Sequence, residues 1–111
     1  MTANEYQVAA LRTANKALSK DELWLDGILG MAGEAGECAD IMKKHMFQGH
    51  ELDRHHLMKE CGDVAWYLAI TAHALGFTLD DVFTTNVKKL EARYPDGFAE
   101  NLSKNRKAGD I

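Results

Sequence analysis

The chain is predicted to be an all-α protein, an antiparallel helical bundle of about four helices that is completed by oligomerisation. Apolar residues recur at helical spacing through most of the chain, and no alternating apolar run enriched in β-branched residues is present. The single proline, Pro95, lies near the C-terminal end, so long helices can run uninterrupted. The 111 residues suffice for one domain. We expect that domain to span residues 1–111, with a tail from about residue 98.

The first two helices follow from apolar periodicity and one capping pattern. A first helix is predicted over about residues 3–18 and a second over about residues 20–47. Ser19 followed by Glu22 is a capping box that opens the second helix. The stripe of the first helix is Tyr6, Ala9, Ala10, Thr13 and Ala17. The second helix has two stripes, Trp24, Ile28, Met31, Ala35, Cys38 and Met42, and then Leu25, Leu29, Ala32 and Ala39. Because it is apolar over a wide arc, it should lie centrally.

The third and fourth helices are predicted from their caps. Asp53 is a favourable N-cap for a helix over about residues 54–75, and Gly76 is a typical C-terminal glycine. Thr78 should cap a fourth helix over about residues 79–93. The polar and partly basic tail beyond it is expected to become ordered only against a partner or a ligand.

Composition excludes several classes of function. A net charge of −4 argues against a nucleic-acid partner, which normally requires a basic patch, although a bound metal still permits a phosphate ligand. The N-terminus does not resemble a signal peptide, and no apolar run approaches the ~20 residues of a membrane helix. Two cysteines are too few for a disulfide scaffold, so a cytoplasmic location is expected. A modest core and widely apolar helices favour a homodimer or homotetramer.

Two pairs of acids are the candidate metal ligands. Glu34 and Glu37, and likewise Glu60 and Asp63, are spaced i,i+3, which places each pair on one helix face. Antiparallel packing of the two helices would bring four carboxylates together, and oxygen ligands alone select Mg²⁺ or Mn²⁺. A lone pair of acids at this spacing is usually a solvated face. These pairs lie in apolar surroundings, where uncompensated charge is costly, and that favours metal binding.

Two residues near the acids, Gly30 and His56, each allow two interpretations. Gly30 removes side-chain bulk one turn from the acids, which would leave space for a ligand or permit close packing of helices. His56 projects near the Glu60 face and would contact a phosphate, or would be an ordinary surface histidine. Cys38 and Cys61 are interpreted as small core residues.

The fourth helix carries a possible phosphate-binding face. Asn86, Lys89 and Arg93 lie at i, i+3 and i+7, on one side of the helix. Such amide and cationic groups suit a polyphosphate that a metal neutralises only in part. Alone, the pattern equally describes a solvated stripe. Tyr94 and Trp24 are candidates for stacking on a nucleotide base, although a core position is the more natural one for Trp24.

These motifs together resemble the MazG-type all-α nucleoside triphosphate pyrophosphohydrolases. The similar segments are Gly33–Glu37, Lys59–Asp63 and Asn86–Phe98, within a resemblance that runs from about Leu23 to Phe98. The resemblance implies Mg²⁺-dependent cleavage of a nucleoside triphosphate to a monophosphate and pyrophosphate, by a dimer or tetramer. It implies that Glu34, Glu37, Glu60 and Asp63 hold metal and that Asn86, Lys89 and Arg93 contact phosphates, with Lys43 fitting the same pattern.

One departure from the family pattern leaves the base and the metal count open. Many members have two adjacent glutamates at the start of the first motif, whereas this chain has Gly33 before Glu34. Either Glu34 or Glu37 would act as the catalytic general base, in a reaction that is expected to serve nucleotide-pool cleaning. Three alternatives remain: a hydrolase of dUTP, dUDP or an alarmone, a binding module without turnover, and a purely structural bundle.

Overall fold

The computed structural model describes all 111 residues and contains five helices and no strand. The helices are α1 Ala3–Leu11, α2 Lys20–Phe47, α3 Arg54–Ala74, α4 Leu79–Arg93 and α5 Glu100–Lys104. The predicted all-α class is confirmed. No helix combines the length and the apolar character that crossing a membrane requires. The chain forms two compact units, Met1–Leu79 and Asp80–Ile111, which are described separately below.

Helices α2 and α3 begin at the residues that the capping patterns predict. Ser19 and Glu22 form the full capping box, in which each side chain accepts a hydrogen bond from the other residue's backbone N–H. The Asp53 carboxylate accepts a hydrogen bond from the His56 N–H at the start of α3. Gly76 follows α3 with a φ of 86°, a left-handed conformation that glycine adopts without steric cost.

The packing of α2 against α3 dominates the first unit. A Cβ at Gly27 would overlap the Thr71 side chain, and a Cβ at Gly30 would overlap the ring of Tyr67. Contacts therefore move backwards along α3 as they move forwards along α2, so the two helices are antiparallel. The space beside Gly30 is filled by Tyr67, which decides between the two interpretations of this glycine. It permits close packing of helices and leaves no room there for a ligand.

Helix α1 ends at Leu11, so the predicted extension to residue 18 is wrong. Polar side chains satisfy the backbone locally at this point: the Thr13 hydroxyl donates to the Ala10 carbonyl, and the Asn15 side chain accepts from the Ala17 N–H. Such bonds compete with helix continuation. Thr13 also accepts a hydrogen bond from Trp66 Nε1 at 2.9 Å, which ties the end of α1 to α3.

Gln7 on α1 is buried and makes three hydrogen bonds to backbone groups. Its Nε2 donates to the carbonyls of Ala69 and Phe77 at 3.2 and 3.1 Å, and its Oε1 accepts from the Leu79 N–H at 3.0 Å. The bonds to the Phe77 carbonyl and the Leu79 N–H satisfy backbone groups in the turn after α3 and at the start of α4, which have no partner within a helix. Gln7 therefore joins α1 to the turn after α3, a role that apolar periodicity does not reveal.

The buried apolar core is small for a chain of this length. Its members are Ala10, Ala69, Ile70, Ala72 and Leu79. The second apolar stripe of α2 faces outwards: Leu25 is 50% exposed, Leu29 is 64% exposed, and Ala32 and Ala39 are exposed. Helix geometry puts this stripe roughly opposite Glu34, on the side of α2 that turns away from α3. The prediction that α2 is central is therefore not met within one chain.

The second unit contains the rest of α4, a turn and α5. Tyr94 and Phe98 pack with ring centroids 5.4 Å apart across the Pro95–Gly97 turn. Helix α5 and an ion pair between Arg93 and Asp110 give the segment after residue 98 a defined structure. The expectation of a tail ordered only by a partner or ligand is therefore wrong. The ion pair joins residues 17 positions apart, which local sequence patterns do not predict.

Candidate active site

Three of the four predicted metal ligands come together at the contact between α2 and α3. One carboxylate oxygen from each of Glu34, Glu60 and Asp63 lies within 4.8 Å of the others. Glu34 and Glu60 are half-buried and Asp63 is exposed. The group therefore opens to solvent on one side, while helix packing holds two of its members in place. Oxygen donors at this separation suit a hard divalent cation.

Burial and the close approach of the carboxylates raise the pKa of Glu34. Burial raises its pKa first, followed by a hydrogen bond with Glu60 and the negative charges of Asp63, Glu60 and Glu37. Each of these effects disfavours the ionised form. A cation bound among the carboxylates would offset their mutual repulsion, so a metal ion would stabilise the group.

Glutamine at position 34 should stabilise the metal-free protein at neutral and alkaline pH. Because the folded-state pKa of Glu34 is raised, ionised Glu34 destabilises the fold above that pKa, and protonation removes the cost as pH falls through it. In EDTA, Glu34→Gln should therefore melt at a higher temperature than wild type at about pH 8, with the difference shrinking towards about pH 5. Thermal unfolding at both pH values measures this, and a lower Tm for the variant at high pH would contradict it.

Glu37 does not belong to the group of three carboxylates. It is exposed on α2, less than one turn beyond Glu34, and its charge contributes to the raised pKa of Glu34. His56 lies one turn before Glu60 on α3, with its Nε2 2.9 Å from the Glu60 Oε1. It is thus bound to one of the candidate ligands and is also largely exposed.

Tyr6 is a neighbour of the acidic group that sequence reasoning did not select. Burial and then the negative charge of Asp63 raise the pKa of its phenol. The Tyr6 phenol therefore lies close enough to Asp63 for the charge of that carboxylate to act on it. In the sequence, Tyr6 appears only as one apolar position of α1, and no local motif distinguishes it.

The cysteines next to the acids differ from the prediction. Cys38 is half-buried, and Cys61 is exposed, so Cys61 is not a core residue. Burial, and then a hydrogen bond with Cys61, raise the pKa of the Cys38 thiol. The two side chains therefore meet across the contact between α2 and α3, close to the acidic group. A raised pKa keeps the Cys38 thiol protonated and so poorly nucleophilic.

Lys43 is engaged within its own helix. Asp40 lies 2.9 Å from both Lys43 Nζ and Lys44 Nζ. Hydrogen bonds from these two lysines lower the pKa of Asp40 to about 2. The predicted contact of Lys43 with substrate would require it to leave Asp40, and it stays a prediction.

The other predicted substrate-binding residues lie in the second unit. Asn86 and Lys89 are exposed on α4, whereas Arg93 is held by Asp110. The Arg93 guanidinium lies 5.9 Å from the centroid of the Tyr94 ring, which also packs against Phe98. Tyr94, one of the two candidates for stacking on a nucleotide base, is therefore paired with Phe98. Trp24 is half-buried and donates to Asp21 at 3.3 Å, so the expected core position is only partly realised.

Comparison with known proteins identifies the family. The model of the MazG nucleotide pyrophosphohydrolase domain matches residues 27–98, which include most of α2 and all of α3 and α4. The chain belongs to the MazG family. The resemblance seen in the motifs is thereby confirmed.

One relative of this MazG protein extends over nearly all of the chain. This relative is the Gene 37 protein of Mycobacterium phage L5. It is 33% identical to this chain over 114 aligned positions, which cover 96% of this chain and 100% of the relative. The relative's name states no activity. No solved structure matches the chain. The family assignment therefore rests on the domain match and on this relative.

Proposed function

We propose that this MazG protein is a Mg²⁺-dependent nucleoside triphosphate pyrophosphohydrolase, which cleaves a (d)NTP to a (d)NMP and pyrophosphate in nucleotide-pool cleaning. The observation that carries the proposal is the convergence of Glu34, Glu60 and Asp63 within 4.8 Å. Acids at these positions would serve no structural purpose that the fold reveals, since their mutual repulsion raises the pKa of Glu34. Membership of the family supplies the reaction class.

The residues present fit a divalent metal. All three donors are carboxylates, which prefer Mg²⁺ or Mn²⁺ to softer metals, and the exposed side of the group leaves room for phosphate oxygens and water. Glu34, Glu60 and Asp63 would hold the ion, with Glu37 as the predicted fourth ligand. When bound, the ion would offset phosphate charge and lower the pKa of a coordinated water.

Other residues of the chain would orient a metal ligand, act as the general base and bind the phosphates. Glu60 is fixed by packing and by His56, so its carboxylate is oriented before any ligand arrives. The proposed general base is Glu34 or Glu37, and Glu37 is the one whose carboxylate is outside the group of three. Asn86, Lys89 and Arg93 would contact phosphates, as the family resemblance implies, with cationic groups offsetting the charge of the departing pyrophosphate.

Glutamine at position 37 should separate the two roles of this residue. If Glu37 is the base, Glu37→Gln should lower kcat by roughly 100-fold or more while Mg²⁺ binding stays near wild type. If it is a ligand, the Mg²⁺ concentration for half-maximal rate should rise instead. Steady-state rates over a Mg²⁺ titration distinguish these outcomes. A variant unchanged in both quantities would exclude Glu37 from the site, and Glu51→Gln, an exposed acid in the α2–α3 connection, is the matched control.

The test of the function is a substrate panel. Canonical and damaged nucleoside triphosphates, dUTP, dUDP and an alarmone are incubated with protein and Mg²⁺, then with Mn²⁺, and products are identified. Release of pyrophosphate with a monophosphate supports the proposal, whereas other products would identify a different nucleotide hydrolase. The second candidate is a binding module without turnover, favoured by Gly33 at a position where many relatives have an acid. Mg²⁺-dependent nucleotide binding without any product would establish it.

The active form is proposed to be a homodimer or homotetramer. The outward stripe of α2, formed by Leu25, Leu29, Ala32 and Ala39, is apolar and exposed, while the buried core is small. Contiguous apolar surface of this kind is typical of interfaces. A second copy of the chain is the occupant that supplies a matching apolar face, because a stripe of this kind can pack on itself about a twofold axis.

A further inference from the structure

A cavity of about 310 Å³ in the second unit has a strongly cationic lining. Four of its lining side chains are cations, Lys89, Arg93, Arg106 and Lys107, and a single carboxylate, Asp110, faces them. The surplus of positive charge is unusual in a chain whose net charge is −4. Such a lining attracts anions, and Asp110 neutralises only part of it.

Asp110 is bound to Arg93 in a bidentate arrangement. Arg93 Nε donates to the Asp110 Oδ2 at 2.8 Å, and Nη2 donates to the Oδ1 at 2.7 Å. The side chains are only 9% and 15% exposed, so water screens this pair poorly. Two parallel N–H···O bonds from one guanidinium are also the geometry by which arginine binds a phosphate group.

We propose that the cavity is a phosphate-binding site in which Asp110 competes with the ligand, so that a phosphate group must displace the Asp110 side-chain carboxylate from Arg93. The proposal deepens the proposed function and rests on it for the role of Arg93 in contacting phosphate. The carboxylate presents two oxygens where a phosphate presents three, and Lys89, Arg106 and Lys107 can bind the additional charge.

The cations around Asp110 keep its carboxylate ionised, so it competes with a phosphate group for Arg93. Hydrogen bonds from Arg93, and then the positive charges of Arg93, Arg106 and Lys89, lower the pKa of Asp110. The carboxylate therefore stays ionised at neutral pH and occupies Arg93 as an anion would. Asp110 lies in the segment after α5, outside the helices, so its side chain can leave Arg93 without a helix having to unwind.

The test is inorganic pyrophosphate binding to the full chain without metal, measured by isothermal titration calorimetry. Asp110→Asn keeps the size of the side chain and removes its charge, and it should bind pyrophosphate roughly tenfold more tightly than wild type, as expected for loss of one charge-assisted pair. The control is Glu100→Gln, the same change of charge on α5 outside the cavity, and it should bind as wild type does. Arg93→Lys should abolish the advantage when combined with Asp110→Asn.

Several outcomes would overturn the inference. Equal pyrophosphate affinity in wild type and Asp110→Asn would exclude competition, and equal tightening in Glu100→Gln would indicate a general charge effect. Thermal unfolding checks that Asp110→Asn is folded, and a variant that unfolds is replaced by Asp110→Ser with the same expectation. Failure of hydrolysis in the substrate panel together with tighter pyrophosphate binding in Asp110→Asn would reject the proposed function and keep this site.

Discussion

Replacing both α3 acids, as Glu60→Gln with Asp63→Asn, should lower kcat/KM for triphosphate hydrolysis by at least about 100-fold, close to background. The two residues supply two of the three carboxylates that converge within 4.8 Å, and amide oxygens bind divalent cations far more weakly than carboxylates. The change keeps the size of both side chains. The rate is measured by pyrophosphate release under saturating Mg²⁺ for wild type.

Stability provides a second measurement on the same variant. A ligand that binds only the folded state at 100 times its Kd stabilises it by about 2.7 kcal/mol, so Mg²⁺ with nucleotide should raise the Tm of wild type. The variant should show no such rise. In the absence of metal it should melt above wild type, because two of the charges that raise the pKa of Glu34 are gone. Full activity in the double variant would refute the metal site, and Glu51→Gln controls for loss of an exposed acid.

If the protein forms the proposed oligomer through the outward stripe of α2, Leu29→Asp should convert that oligomer to monomers. Leu29 is 64% exposed on the outward stripe of α2, and burial of a leucine side chain in an interface contributes about 1.5–3 kcal/mol. An aspartate would lose that contribution and add the cost of burying a charge, so the dissociation constant should rise by about 100-fold or more. Light scattering after size-exclusion chromatography measures the mass.

The control for the oligomer is Leu29→Met, which keeps the apolar surface and the volume of the side chain. It should retain the mass of wild type. The Tm of wild type should rise with protein concentration, and that of Leu29→Asp should not, since only association couples stability to concentration. A wild-type monomer, or an unchanged mass for Leu29→Asp, would show that this stripe is not the interface.

Local patterns were sufficient for the two long helices and for the choice of acids. The capping box at Ser19 and the Asp53 cap depend on residues three positions apart, so their energetics are contained in the sequence. The same holds for the spacing of Glu34 and Glu37 on α2. Helix α1 was predicted too long because Thr13 and Asn15 satisfy the backbone themselves, a competition that apolar periodicity does not report.

The sequence by itself determined the helical class, the MazG family and the positions of the acids, because these depend on short-range spacing along the chain. Only the tertiary structure decided that Glu34 joins Glu60 and Asp63 while Glu37 stays outside, and that Asp110 holds Arg93. The role of Gly30 in close helix packing likewise became evident only from its contact with Tyr67, which lies 37 positions away in the sequence. Such contacts join residues far apart in sequence, and their geometry depends on how helices pack, which no local pattern specifies.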